Sequence, residues 1–155
     1  MVRNYRISVL IANHFGAMAR ITEIFSARGY NLDSVCSGVS EKKDCHRMTL
    51  LCQVNEDKIE YLVKLIQQQI DVRDVKLLSS EGVGLILMKL VMEKNNRKAI
   101  LALVNHYGGQ LVKGEKSGFS FYCNGNKEEL DKVIEAFQKF NIIEMARTGE
   151  AAIQL

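Results

Sequence analysis

Apolar and polar residues follow two different rhythms along this chain, and their order predicts the fold. Helical spacing, in which apolar residues recur after three or four positions, places four groups of side chains on one face of a helix each. These groups are Met18/Ile21/Ile24/Phe25, Ile59/Leu62/Val63/Ile66, Ile100/Leu103/Val104/Tyr107 and Leu130/Val133/Ile134/Phe137. Strict alternation, which is typical of strands, marks "YRISVLI" at 5–11, "RMTLLCQV" at 47–54 and "FSFYC" at 119–123.

The same order of elements occurs twice. Residues 21–32, "ITEIFSARGYNL", match residues 100–111, "ILALVNHYGGQL", at an offset of 79, and the second helices align at an offset of 71. The second copy is therefore shorter between its helices. We attribute this to "KGEKSG" at 113–118, a tight turn that replaces the longer "GVSEKKDCH" at 38–46.

Each copy reads as strand, helix, strand, strand, helix, strand. This pattern predicts an α+β protein made of two ferredoxin-like βαββαβ units in tandem. The glycine-containing linker "SSEGVG" at 79–84 separates a first domain, residues 1–79, from a second, residues 80–155. In each unit both helices cover one sheet face, so apolar residues on the other face need a partner. That partner is the other half or another chain, and we expect oligomerisation.

Composition and charge narrow the classes of function. The chain has 21 basic and 18 acidic residues, a net charge of +3, and no basic arm or stripe for a nucleic-acid backbone. Polar residues interrupt the apolar start "MVRNYRISVL", which is unlike a signal peptide. Nowhere do about 18 apolar residues run together, as a membrane-spanning helix requires. A cytoplasmic protein is the expectation.

No set of catalytic or metal-ligating residues emerges, so we predict neither an enzyme nor a cofactor in this chain. Cys45, His46 and Cys52 do not have the paired close spacings of a structural zinc site. The segment "KSGFSFY" at 116–122 resembles the aromatic signature of RNA-recognition motifs, in which Phe119 and Phe121 would stack bases. The first strand of that half offers no further aromatic residue, which favours packing in a core or a subunit interface.

The stretch "IANHFGAMARI" at 11–21 has the character of a binding turn. A strand ends there and a helix begins, and free N–H groups at a helix start attract a carboxylate. Gly16 lets a ligand approach the backbone, and the amides of Asn13 and Asn31 can bind both ammonium and carboxylate groups. With apolar Ile11, Phe15 or Leu32 nearby, the set would suit a free amino acid. The alternative is ordinary turn chemistry, because Asn and Gly are common at such junctions.

The chain also resembles a known family, the small regulatory subunits of acetolactate synthase (acetohydroxyacid synthase), which begin with an ACT domain. An Asn-x-x-Gly-Ala turn opens the helix at residues 13–17, and "FSARGYN" closes it at residues 25–31. "HRMTLLCQV" at 46–54 resembles the third strand of the family, and "EMARTGEAAI" at 144–153 resembles its carboxy-terminal signature. The resemblance spans nearly the whole chain.

The resemblance implies a non-catalytic subunit. Its partner would be a catalytic large subunit that uses thiamine diphosphate, Mg and FAD to condense two 2-oxo acids in branched-chain amino-acid synthesis. The small subunit would activate that partner and confer feedback inhibition by an amino acid, usually valine, bound between paired ACT domains. The implied effector-binding residues are Asn13, Phe15, Gly16, Ala17, Asn31 and Leu32. The second domain would serve dimerisation and contact with the catalytic subunit.

Two other functions fit the same fold. One is a free-standing ACT-type amino-acid sensor for another enzyme, which co-purification with an unrelated partner would reveal. The other is a tandem RNA-binding protein, which would bind single-stranded RNA with a steep dependence on salt.

Overall fold

The computed structural model describes residues 1–112 and 118–155, so most of the predicted turn "KGEKSG" lies outside the described residues. These residues form two compact units. The first comprises Met1–Gly82 together with Gly149–Leu155, and the second comprises Val83–Thr148. The linker at 79–84 predicts a second domain of residues 80–155, whereas the second unit leaves out residues 80–82 and the last seven residues. The last seven residues bond to the first sheet.

The first unit contains four strands and two helices. Their bounds are β1 Val2–Ala12, α1 Ala17–Ser26, β2 Leu32–Val39, β3 Cys45–Asn55, α2 Ile59–Gln67 and β4 Val72–Leu78. The strands form one antiparallel sheet in the order β2-β3-β1-β4. This is the ferredoxin-like arrangement that the sequence predicts.

The second unit repeats this plan. Its elements are β5 Gly84–Leu90, α3 Arg97–His106, β6 Gln110–Val112, β7 Phe119–Gly125, α4 Lys127–Phe137 and β8 Ile142–Arg147. The strand order β6-β7-β5-β8 corresponds position by position to that of the first unit, which confirms the internal repeat.

Each core lies between one sheet face and the two helices that cross it. In the first unit the alternate residues Ile7, Val9 and Ile11 of β1 are buried in this layer, as the alternation predicts. One predicted core residue is exposed: Met18 keeps 46% of its surface accessible, because the buried residue of that helical turn is Ala17. Met18 therefore belongs to the surface beside the β1–α1 turn.

The two phenylalanines of β7 belong to the second core. The Phe121 side chain is fully buried, and its ring centroid lies 4.7 Å from that of Phe137 on α4. Phe119 is half-buried and packs against the same cluster, 6.2 Å from Phe121 between ring centroids. Both rings are thus used in packing on the helix side. The prediction of core packing is confirmed, and the disfavoured alternative, a base-stacking platform of these two rings, is excluded by their packing.

The opposite face of the first sheet is covered in part by the end of the chain itself. Ser8 and Thr49 on this face are each at most 5% exposed. The Oγ1 of Thr49 accepts a hydrogen bond from the Ala152 amide at 3.2 Å, and the Arg6 side chain donates to the Glu150 carboxylate at 2.7 Å. We call residues Gly149–Leu155 the C-terminal tail. The tail covers part of the sheet face for which the sequence pattern predicts a partner in the other half or in another chain.

The tail fits closely enough for the size of Gly149 to matter. We expect Gly149→Ala to lower the free energy of unfolding by about 1–3 kcal/mol, as overpacking does, because its Cβ would lie 2.6 Å from the Val35 carbonyl oxygen. The measurement is urea unfolding of the purified chain.

A matched control for this variant lies on β2. Gly38→Ala adds the same methyl group where no atom lies within 4 Å, so its stability should stay within about 0.5 kcal/mol of the parent. Equal stability of the two variants would show that the tail does not need the tight contact.

Candidate functional site

The turn between β1 and α1, residues 13–16, is built around a glycine in the left-handed conformation. Gly16 has φ 76° and ψ 0° and precedes the first residue of α1. No side chain caps this helix, so the first amides of α1 have no intrahelical acceptor. A left-handed residue at this point favours glycine because other L-residues are strained there. The turn therefore presents a helix start with partial positive charge to solvent.

A buried carboxylate holds the turn in place. Asp71, which immediately precedes β4, is only 3% exposed. It accepts hydrogen bonds from Nε of Arg20 at 2.8 Å and from Nδ1 of His14 at 3.0 Å, and Nη2 of Arg20 makes a further contact. The Asp71 carbonyl oxygen accepts from the Ala12 amide at 2.8 Å. One residue thus fixes both the end of β1 and the side chains that flank Gly16.

Electrostatics favours the ionised form of this carboxylate. The Arg20 guanidinium, and after it the His14 side chain, hold the pKa of Asp71 below its ordinary value. Arg20 also donates to the Phe15 carbonyl oxygen at 3.3 Å. Its Nη1 lies 3.0 Å from the point where a Cβ on Gly16 would stand. The guanidinium therefore lies directly beneath the glycine.

The side chains of the turn that do not contact Asp71 are open to solvent. Asn13 is exposed, and its backbone amide donates to the Asp44 carbonyl oxygen at 2.8 Å, which ties the turn to the β2–β3 loop. Phe15 is fully exposed, and Met18 is 46% exposed. Two apolar side chains beside an uncapped helix start can contact the hydrocarbon part of a ligand. Ala17, in contrast, is buried in the core.

The other two predicted residues follow the end of α1. Gly29 has φ 68°, and the Tyr30 amide donates to the Phe25 carbonyl oxygen at 3.0 Å, a bond that closes the helix end. The chain then enters β2 through Asn31, whose exposed amide donates to Asp33 at 3.1 Å. Leu32 is half-buried against the core.

Strand register shows that these residues do not meet within one chain. Ala12, at the end of β1, pairs with Cys45 at the start of β3, whereas Leu32 pairs with Cys52. Seven residues of one strand separate these partners, about 23 Å at about 3.3 Å per residue. Asn13, Phe15, Gly16 and Ala17 thus lie at one end of the sheet, and Asn31 and Leu32 lie at the other.

A zinc site formed by Cys45, His46 and Cys52 is not supported. Cys45 pairs with Ala12 and Cys52 pairs with Tyr5, so the two lie seven positions apart along β3, and burial raises the pKa of the Cys52 thiol to about 12. Among residues 1–112 and 118–155 there is no group of three or more His, Cys, Asp or Glu side chains that could hold a metal ion. None of the helices in these described residues has the length and apolar character needed to cross a membrane.

Comparison with known proteins identifies the family. A family model described as "AHAS small subunit-like ACT domain" matches residues 7–74, and one described as "Small subunit of acetolactate synthase" matches residues 84–155. This chain belongs to the acetolactate synthase small-subunit family. The match confirms the resemblance seen in the sequence.

Similar proteins in this family come from distant organisms. A probable acetolactate synthase small subunit of Archaeoglobus fulgidus is 26% identical over 96% of this chain and 95% of its own length. The acetolactate synthase small subunit of Bacillus subtilis is 28% identical, over 94% of this chain and 87% of its own length. A crystal structure of the small subunit from Thermotoga maritima matches with a TM-score of 0.91 at 22% identity, covering 99% of this chain and 98% of that one. The match confirms the fold.

The sequence pattern of this small-subunit family member does not reveal the residues that hold the turn. Arg20 and Asp71 are 51 positions apart, and His14 is a single histidine with no partner nearby in the sequence. The sequence signal is weak, because an acidic residue directly before a strand with three charged residues is equally typical of a solvent-facing position. Burial, which reveals the role of Asp71, depends on how β4 pairs with β1.

Asp71 makes the stability of the first unit depend on pH. Because its folded-state pKa is lowered, the stabilisation is complete above the unfolded-state pKa of about 3.9 and is lost as the pH falls through the lower folded-state value. We expect Asp71→Asn to lower the melting temperature at neutral pH. The difference from the parent should shrink once the pH falls below about 4. Thermal melting across pH measures this.

Glu23→Gln, at an exposed position of α1, is the control and should melt like the parent throughout. A melting difference for Asp71→Asn that stayed constant with pH would contradict the charged role of the carboxylate.

Proposed function

We propose that this chain is a non-catalytic regulatory subunit of cytoplasmic acetolactate synthase. In this proposal it activates the thiamine-diphosphate-dependent catalytic subunit, which also uses Mg and FAD, and it confers feedback inhibition by valine. Family membership over both units supports the partner, and the braced, uncapped turn at Gly16 supports the effector site. The first unit binds the effector, and the second serves dimerisation and contact with the catalytic subunit.

The chemistry of the turn suits an α-amino acid. The start of α1 beside Gly16 has no side-chain cap and carries a partial positive charge, so it can receive the carboxylate. The side-chain amides of Asn13 and Asn31 can accept from the ammonium group and donate to the carboxylate. Exposed Phe15, together with Leu32, offers apolar contact for a branched side chain. Ala17 contributes its backbone, since its side chain is buried.

The separation of these residues along the sheet favours a site shared by two chains. In an antiparallel pairing of two β2 strands, the start of one β2 lies beside the end of the other. Asn31 of one copy then comes to the same end of the joined sheet as Asn13 and Gly16 of the second copy. A shared site explains how one ligand can use residues that stand about 23 Å apart in a single chain.

The two edges of the first sheet differ in their suitability for such pairing. β2, "LDSVCSGV", has one charged residue, Asp33. β4, "VRDVKLL", has three, namely Arg73, Asp74 and Lys76. Charged side chains on an edge strand oppose pairing with another strand. The β2 edge is therefore the one suited to a second copy.

Regulation follows from a site of this kind. A ligand that bridges two chains stabilises the arrangement of the pair that it fits, and it shifts the population toward that arrangement. If the catalytic subunit is activated by a different arrangement, valine opposes activation. Coupling of about 1–3 kcal/mol is typical and corresponds to a change of about 5–150-fold.

The first test separates feedback from activation. Gly16→Asp places a carboxylate at the uncapped start of α1, where the carboxylate of valine would bind. We expect the variant to activate the catalytic subunit like the parent and to lose valine inhibition. Acetolactate formation is measured with and without valine, in parallel with calorimetric binding of valine to the isolated chain.

Gly108→Asp is the matched control, because Gly108 also has a positive φ, 64°, and has no atom within 4 Å of an added Cβ. It should keep valine binding. Valine inhibition that persists in Gly16→Asp would disprove the assignment of the turn, and a chain that never alters the rate of the catalytic subunit would disprove the regulatory role.

The second test asks whether the site is shared between chains. Asn13→Ala and Asn31→Ala should each weaken valine binding, by at most a few kcal/mol per lost polar partner. When the two variants are unfolded, mixed and refolded together, a mixed pair contains one site with both asparagines and one with neither. We expect tight valine binding to return in the mixture, which calorimetry measures.

Each variant refolded alone is the control and should stay weak. If the site lay within one chain, every site in the mixture would lack one asparagine, and no tight binding would return.

A further inference from the structure

A second recess lies on the helix-free face of the first sheet, away from the β1–α1 turn. It has a volume of about 210 Å³ and is lined by Ser8, Glu41, Arg47, Lys76, Leu78, Ile153 and Gln154. We propose that this recess binds a short aliphatic carboxylate. The site is separate from the proposed valine site and shares no residue with it.

Strand register brings the polar lining together. Ser8 of β1 pairs directly with Lys76 of β4 on one side, and with Thr49 of β3 on the other. Arg47 lies two residues before Thr49, so alternation places it on the same face of the sheet. The Arg47 side chain donates to the Ser8 hydroxyl oxygen at 3.3 Å. Three strands thus direct a hydroxyl, a guanidinium and an ammonium group to one place.

The balance of donors and charges favours an anion. Arg47 donates one hydrogen bond to Ser8 and one to the Glu41 carboxylate at 2.7 Å, which leaves further N–H donors of its five. The Lys76 ammonium lies 3.5 Å from Asp74, a long contact between two partly exposed groups. The lining therefore contains two cations and a single carboxylate. The Ser8 hydroxyl accepts from Arg47, so its own proton can be donated to a ligand.

The remaining walls are apolar and set the size of the ligand. Leu78 is 8% exposed on β4, and Ile153 belongs to the C-terminal tail. A volume of about 210 Å³ is far above the roughly 10–15 Å³ that one water molecule needs by this kind of measure, so the recess has room for several heavy atoms. A carboxylate with a branched chain of four carbons is a ligand that fits this room. Its charged end would meet Arg47 and Lys76, and its hydrocarbon end would meet the two apolar side chains.

The tail couples the recess to the rest of the first unit. Ile153 and Gln154 form part of the wall, and the tail is held by Ser80, which donates to the Ile153 carbonyl oxygen, and by the Arg6–Glu150 ion pair at 2.7 Å. A ligand that contacts both the sheet and the tail stabilises the docked tail by linkage. Binding in the recess should therefore slow hydrogen exchange of the tail amides.

The test titrates the full chain with isovalerate and, as a neutral analogue of the same shape, isovaleramide. We expect saturable binding of one isovalerate per chain, no binding of the amide, and slower exchange of the Glu150 and Ala152 amides. Lys76→Met should weaken isovalerate binding at least tenfold. Lys64→Met, on the exposed surface of α2, should bind like the parent.

Valine and 2-oxoisovalerate also carry a carboxylate on a branched chain. Both are titrated into the Gly16→Asp variant, so that the proposed valine site does not contribute to the measured binding. Tighter binding of valine than of isovalerate, removed by Glu41→Gln, would identify an amino acid as the ligand. Tighter binding of 2-oxoisovalerate would identify an oxo acid.

The proposal is overturned if isovalerate does not bind, if the amide binds equally well, or if Lys76→Met retains full affinity. Its failure is distinct from failure of the valine site, because Gly16→Asp and Lys76→Met act at different places. Lys76 is 54% exposed, so its replacement should leave the fold intact. Ser8→Ala provides a second variant, and it should also weaken isovalerate binding.

Discussion

Asp71 determines the geometry of the candidate effector site because three separate parts of the turn depend on its main chain and carboxylate. The end of β1 bonds to its carbonyl oxygen, while His14 and Arg20 bond to its side chain. With the carboxylate ionised and almost fully buried, these donors have a strong and directional acceptor. The glycine turn is thereby held in one conformation, with the exposed side chains of Asn13 and Phe15 facing solvent.

The opposite face of the same sheet shows how the fold accommodates polar groups away from the helices. Ser8 and Thr49 are buried there, and such groups are tolerated in proteins when they form hydrogen bonds. The tail satisfies Thr49 through the Ala152 amide, and Arg47 satisfies Ser8. The same face forms the second recess. One sheet thus presents two chemically different surfaces, an apolar one to its helices and a mixed one to the tail, in which buried Ser8 and Thr49 lie among buried leucines such as Leu10 and Leu78.

Much of the fold follows from local pattern, because alternation and helical spacing depend on which side of an element faces the core. The positions of Ile7 and Val9, and the repeat of strand order, could be predicted for this reason. Contacts between distant polar residues could not. Arg6 and Glu150 are 144 positions apart, and neither differs locally from a solvated surface residue. Only the folded arrangement reveals them.

The sequence predicts which residues form the candidate site, and this stays a prediction, whereas their arrangement comes from the structure alone. Gly16 could be identified because a strand-to-helix turn with a positive φ favours glycine. Asn13 and Asn31 lie at opposite ends of the sheet because of the register of its strands. The sequence alone does not specify this register. Helical spacing predicts Met18 on the same face as Ile21, whereas in the folded helix the buried residue of that turn is Ala17.

The unequal charge on the two edges of the first sheet also limits how far association can proceed. A sheet with two open edges can add copies without end and grow into a filament. A sheet with one open edge and one charged edge can add a single copy, and the joined sheet then has a charged strand at each of its borders. Such an arrangement is self-complementary and closed. The residues of β4 would in this way protect a protein that pairs through β2 from fibrous aggregation.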